Sequence, residues 1–300
     1  MNNTRTEIES GAFWRLAAAS VAVLLPLNWS WHVWGRQIPG SLAVYIVVGS
    51  VLYFALLRWL TGVRFSDISY DARFIVISSM LLLILFLAFG RSNTYQRLFA
   101  QFVPEDVRTP LIGFAYFAGC SVLLRLVIPY LLLRFKLRQP PREYGYVVRG
   151  GTRIRWVYFG LFVVMIPLVI WASTLPDFQA SYPQTRGVVI GNEASIRLFI
   201  LYHAAYFMVF LSGESFWRGY MTFGLGRNLD VAALPWMVMM YSIGHYGKPI
   251  LEVNASIVAG FVLGYLALRH RSFFLGALLH WSIALTMDLA VLWQRGVTWH

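Results

Sequence analysis

Apolar residues run along this chain in blocks about 16 to 27 residues long, separated by short polar or basic connections. A helix rises ~1.5 Å per residue, so roughly 17–25 mostly apolar residues cross a hydrocarbon core of ~30 Å. The pattern predicts spans over about 16–35, 41–58, 74–90, 109–133, 156–175, 198–224, 231–247, 253–268 and 272–294. The first block carries Pro26, Asn28 and His32 and has the length of a signal-peptide core. No small-x-small cleavage site follows it, so a retained helix is expected. The expected fold is therefore all-α, a polytopic membrane protein of eight or nine transmembrane helices.

Composition closes off the alternatives. Hydrophobic residues make up 58% of the 300 and charged residues 13%, half the share with which a soluble domain covers its surface. Cys120 stands alone, which excludes a disulfide scaffold and CxxC zinc or redox motifs. The net charge of +12 in a soluble protein would suggest nucleic acid, but no basic module interleaved with aromatics accompanies it, and no nucleic-acid partner is expected.

The positives cluster instead between apolar blocks. The densest run extends from Arg134, Lys136, Arg138 and Arg142 through Arg149, Arg153 and Arg155. The positive-inside rule places it in the cytoplasm, together with the N-terminus, the stretch 58–73 and the connection Arg269-His270-Arg271. Segments 91–108 and 176–196 then face the other side. A multi-pass protein of the cell membrane is expected, with anionic lipid head groups as partners of the basic loop. Pro140-Pro141 divides the chain into N-terminal helices over 1–135, the basic loop over 136–155 and a C-terminal unit over 156–300.

Ionisable residues inside spans are costly and point to function by default. The N-terminal half has Arg125, read as a structural partner or a snorkelling side chain. The last third holds Glu214, Arg218, His245, Lys248, Glu252, His280 and Asp288 in or beside apolar helices. Glu214 and Arg218 share a helix face at i,i+4, as do Tyr241 and His245, and His280, Ala284 and Asp288. Helix rise puts Glu214, His245 and His280 at depths of about 14, 21 and 12 Å, close enough to converge. A carboxylate and two imidazoles in a dry cavity suffice to activate water and stabilise an oxyanion. The same three side chains are the candidate ligands for a divalent metal such as zinc. No organic cofactor is implied. His203, with no motif around it, is read as structural, and Gly260 with Gly264 as a helix-packing pair.

The stretch Gly213-Glu214-Ser-Phe-Trp-Arg218-Gly219 resembles the Glu-Glu-x-x-x-Arg-Gly motif of the CPBP intramembrane proteases, the CAAX-protease and bacteriocin-processing family. Tyr241-Ser-Ile-Gly-His245 is similar to its aromatic-x-x-x-His motif, and the run from Ser256 through Gly260, Gly264 and Arg269 to His280 leads into the third. The resemblance spans about 156–294. It implies peptide-bond hydrolysis within the membrane, of a membrane protein or a lipidated peptide. By that resemblance Glu214 and His245 act on the water, His280 holds the oxyanion and Arg218 orients Glu214. Two positions depart from the pattern: the first glutamate is Gly213, and the asparagine four residues after the third-motif histidine is Ala284. Glu252 or Asp288 is expected to supply the missing carboxylate, with Lys248 orienting it and Tyr241 in support. Two other classes stay open: a catalytically silent family member acting as a binding or scaffold protein, and a proton-coupled transporter. The absence of an internal repeat disfavours the transporter.

Overall fold

The computed structural model describes residues 10–99, 102, 109–149, 151–184 and 186–300. The expected cytoplasmic N-terminus lies before the described residues, and part of the expected outer segment 91–108 lies outside them. The chain is an all-α polytopic membrane protein, with eight helical stretches among the described residues long and apolar enough to cross a membrane. In order the helices are α1 (Ser10–Val33), α2 (Ser41–Thr61), α3 (Tyr70–Phe89), α4 (Ser92–Phe99), α5 (Thr109–Val122), α6 (Ile128–Leu131), α7 (Thr152–Ala172), α8 (Pro176–Ser181), α9 (Ile196–Glu214), α10 (Gly224–Leu229), α11 (Ala233–Gly244), α12 (Ile250–His270) and α13 (Phe274–Gln294). Three two-residue strands, β1 (Val189–Ile190), β2 (Glu193–Ala194) and β3 (Thr298–Trp299), pair where α9 begins and α13 ends.

The molecule is apolar outside as well as inside, as lipid requires. On α7, Trp156, Phe159, Val164, Leu168 and Trp171 are all exposed. Inward faces carry small residues where backbones approach, because packing rather than the hydrophobic effect joins helices in lipid. A Cβ on Gly260 would meet Val238 at 3.0 Å, and one on Gly264 would meet Leu234 at 2.7 Å, so this pair lets α12 lie against α11. Gly49 does the same for α2, with Met240 and Ile243 3.1 Å from its would-be Cβ.

The expected seventh span is shorter than its hydropathy suggested. α11 has 12 residues, about 18 Å of helix, too little to cross on its own. Its residues from Ala233 to Ile243 are all buried, so its apolarity serves a protein interior rather than lipid. The break that precedes it is at Asp230, whose φ of 49° no helix continues. The chain then doubles back until Gly244 touches the Trp217 ring, which a Cβ would approach to 3.1 Å.

The two parts on either side of Pro140-Pro141 share one core. Leu16, Ile46, Tyr53 and Ile75 from the first three helices pack in the same cluster as Phe216, Trp236 and Met239. Asn28, in the otherwise apolar first helix, donates to Ser242 Oγ at 3.1 Å and Asn254 Oδ1 at 3.0 Å, and accepts from the Tyr246 hydroxyl at 3.1 Å. This knot ties α1 to α11, to α12 and to Tyr246, the residue after His245. The basic loop also folds against the body: Tyr144 is fully buried, and Arg227 meets Glu143 at 3.1 Å and Gln139 at 3.0 Å.

Candidate active site

The helix carrying the first motif widens as it passes the site. After Glu214 the turns over Ser215–Phe223 are π-helical, and all nine residues are buried. Such widened turns are uncommon and recur at functional positions. Gly219 is required by packing, since a Cβ there would lie 3.1 Å from the Tyr144 carbonyl and 3.2 Å from the Phe273 ring.

Glu214 and Arg218 form the predicted i,i+4 pair, with Nη1 of Arg218 2.8 Å from Oε1 of Glu214. Neither is exposed by more than 1%. Removing two ions from water costs several kcal/mol each, and the arrangement around them offsets it. The guanidinium also lies over the Tyr241 ring at 4.3 Å, a favourable cation–π contact. His280 Nδ1 lies 3.1 Å from the same Oε1 of Glu214. The α13 backbone reaches this close because residue 276 is glycine: a Cβ there would sit 3.2 Å from Oε2 of Glu214. Oε2 itself is buried and has no hydrogen-bond partner among the described residues.

His245 follows the last residue of α11, and its Nδ1 is 2.7 Å from the Tyr241 carbonyl. A carbonyl only accepts, so Nδ1 carries the hydrogen and Nε2 keeps a lone pair in the neutral ring. The Tyr241 ring packs against His245 at 4.4 Å and His280 at 6.3 Å between centroids, setting both imidazoles around one aromatic post. Glu214, His245 and His280 all line one cavity of about 420 Å³, with Tyr241, Trp217 and Phe210 among its apolar walls. Among the described residues Glu214 bonds directly to His280 and not to His245, which reaches it only across this cavity.

The three expected centre residues and Arg218 are thus brought together. The supporting acids are elsewhere. Glu252 is paired with Lys248 and accepts from the Tyr182 hydroxyl at 2.8 Å, and of these three only Lys248 lines the cavity. Asp288 is fully buried further along α13, accepting from the Tyr202 hydroxyl at 2.9 Å with His203 Nε2 at 3.3 Å. His203 is therefore the acid's neighbour rather than a lone core histidine. Ala284 packs in an apolar cluster with Phe114, Tyr202 and Tyr206. As for a metal, no three His, Cys, Asp or Glu side chains among the described residues are grouped as ligands, and Oε1 of Glu214 is already engaged by a guanidinium. The donor set does not fit zinc.

Two charged residues of the cavity wall were not singled out for this site from the sequence. Arg125 comes from the N-terminal half, in a π-helical stretch over Leu123–Val127, and Arg91 follows α3. The intramembrane position of Arg125 was the available signal, whereas Arg91, at a helix end, gave none.

Residues 195–286, less than a third of the chain, match the family described as type II CAAX prenyl endopeptidase Rce1-like. This is the CPBP, or CAAX-protease, family, so the resemblance carried by the three motifs is borne out, and the matched stretch contains Glu214, Arg218, His245 and His280. Comparison with curated proteins and with solved structures gives no match.

Proposed function

We propose, taking the CAAX-protease family match over residues 195–286 as premise, that the chain is a membrane-embedded endopeptidase that cleaves a membrane-associated protein or lipidated peptide. The observation that carries this reading is the meeting of Glu214, Arg218 and His280 at the wall of a cavity that also receives His245. A water in the cavity gives its proton to Nε2 of His245 while the free Oε2 of Glu214 accepts its other hydrogen. The hydroxide adds to the scissile carbonyl, whose oxyanion takes a hydrogen bond from Nε2–H of a doubly protonated His280, the Nδ1–H of which donates to Glu214. The C–N bond then breaks and the proton on His245 passes to the leaving amine. Arg218 pairs with Glu214 and holds it in place throughout. No metal enters this sequence. The chain would act in the cell membrane with its basic loop against anionic lipid on the cytoplasmic side.

Gly213 supports a second reading, a silent relative that binds without cleaving, because the carboxylate of the first motif position is missing. One experiment separates the two. The full chain is expressed in membranes, Glu214, His245 and His280 are each replaced by Ala, and peptide products are followed by mass spectrometry. Products from the native chain that vanish in all three variants support the protease; substrate binding with no product from any chain supports the silent relative.

A further inference from the structure

The cavity that holds Glu214 and His280 has two unlike ends. Its deep end is Gly213, Glu214 and His280, with the Arg125 guanidinium beside Gly213, Nη1 3.4 Å from where a Cβ would lie. Its other end is ringed by Arg91 and Ser92 after α3, Gln184 between α8 and α9, and Gly247 with Lys248 in the turn between α11 and α12. Ser92, Gln184 and Gly247 are exposed. Two bonds tie this rim to its surroundings: Arg91 Nη2 donates to the Tyr246 carbonyl at 2.8 Å, and Lys248 Nζ to the Tyr182 hydroxyl at 3.3 Å.

The rim stands on the face opposite the basic loop. From the end of the Gly247–Lys248 turn, α12 runs 21 residues, about 31 Å, to His270. That length crosses a hydrocarbon core of ~30 Å. Just past its far end, Ser272 Oγ donates to the Val147 carbonyl at 2.7 Å, so α12 finishes against the basic loop. Gln184 gives the same answer from another helix, since the 21 residues of α7 leave the basic loop and cross before the chain reaches it.

Between Glu214 and the basic loop the protein is packed. Tyr144, Gly145, Phe223 and Phe273 are all buried. The Tyr146 and Phe273 rings meet edge to face, 5.1 Å between centroids. A Cβ on Gly145 would come within 2.7 Å of the Phe223 ring, and the Tyr144 carbonyl lies against Gly219. Among the described residues, none of the stretch 134–149 and neither Phe223 nor Phe273 lines the cavity.

We propose that the cavity opens on the membrane face opposite the basic loop and takes its substrate from there, an apolar segment of a membrane-anchored polypeptide displayed on that face. By the positive-inside rule that face is the extracytoplasmic one, so the substrate is a chain that has already been exported. A C-terminus left in the cytoplasm would have to pass its backbone through the Tyr144–Phe273 layer, where its N–H and C=O groups find no water. What is cut there rests on the protease reading; the side of the opening stands without it.

The test is sided labelling in cells that express the full chain, with the single native cysteine removed as Cys120→Ser and one cysteine returned at a time. The probe is a membrane-impermeant maleimide. Gln184→Cys, at the rim, and Phe210→Cys, inside the cavity, should be labelled in intact cells. Arg142→Cys, in the basic loop, should be labelled only after the cells are opened. Phe117→Cys, also on the cavity wall, takes the place of Phe210→Cys if that variant does not fold. Labelling of Arg142→Cys in intact cells overturns the assignment of faces. A cavity cysteine that reacts only once the cells are opened, or in neither state, overturns the opening. Cleavage is read separately, on a pool of membrane-anchored apolar peptides displayed on one face or the other. Cutting confined to the outer display supports the proposal, whereas cutting of the cytoplasmic display overturns it and keeps the protease reading. Outer labelling of the cavity with neither display cut keeps the opening and ends the protease reading.

Discussion

Replacing Arg218 by Leu removes one ion of a pair whose members are 0% and 1% exposed, 2.8 Å apart. Glu214 then stays buried with His280 as its remaining partner, while Oε2 already lacks one. Breaking a buried pair from one side costs about 3–5 kcal/mol, chiefly because the surviving charge is uncompensated. The cation–π contact with Tyr241 is lost in the same step and contributes to that figure. Glu214→Leu alone should cost a comparable amount by stranding Arg218, which is more deeply buried. The double variant puts two apolar side chains where two ions stood, a replacement that is often neutral. It should therefore be more stable than either single variant, with a coupling of about 2 kcal/mol or more. The assay is reversible unfolding of the four proteins in one detergent system. Single losses below about 1 kcal/mol, or a double variant whose loss equals the sum of the two, would refute the claim that the pair is buried and mutually compensating.

Two other substitutions probe the surroundings. Gly276→Ala pushes a methyl to 3.2 Å from Oε2 of Glu214; it should destabilise by about 1–3 kcal/mol and slow cleavage by about 10²-fold, since small displacements of reacting groups are costly. A fully active, equally stable variant would mean that α13 does not approach Glu214 this closely. Asn28→Leu breaks the three-partner knot between α1, α11 and α12 and should cost about 1–3 kcal/mol in an unfolding assay, given ~0.6 to 1.7 kcal/mol for one interhelical bond in lipid. Unchanged stability would remove Asn28 from the architecture.

The spans and the central residues were legible because hydropathy and the i,i+4 rule act locally. Glu214, Arg218, Tyr241 and His245 sit on faces that a helical period dictates, and Gly260 and Gly264 pack as their spacing implied. What was not legible depends on the third dimension. Hydropathy cannot distinguish lipid from protein interior, so α11 read as a span although it is a short buried helix. Asn28 read as a blemish in the first block, and only its partners at Ser242, Asn254 and Tyr246, more than 200 residues away, give it a role. Asp288 shares a helix face with His280, but Tyr202 and His203 of α9 claim it. The motif departure at Gly213 was visible; the guanidinium that occupies its place was not.

The central claim is that His245 and His280 work with Glu214 as one hydrolytic unit. Its most direct test is the single-turnover cleavage rate of an apolar membrane peptide by the native chain, His245→Gln, His280→Gln and the double variant, all verified as folded. The account predicts a loss of about 10²–10⁴-fold for each single variant and little further loss in the double. A His245→Gln rate within twofold of native would contradict it.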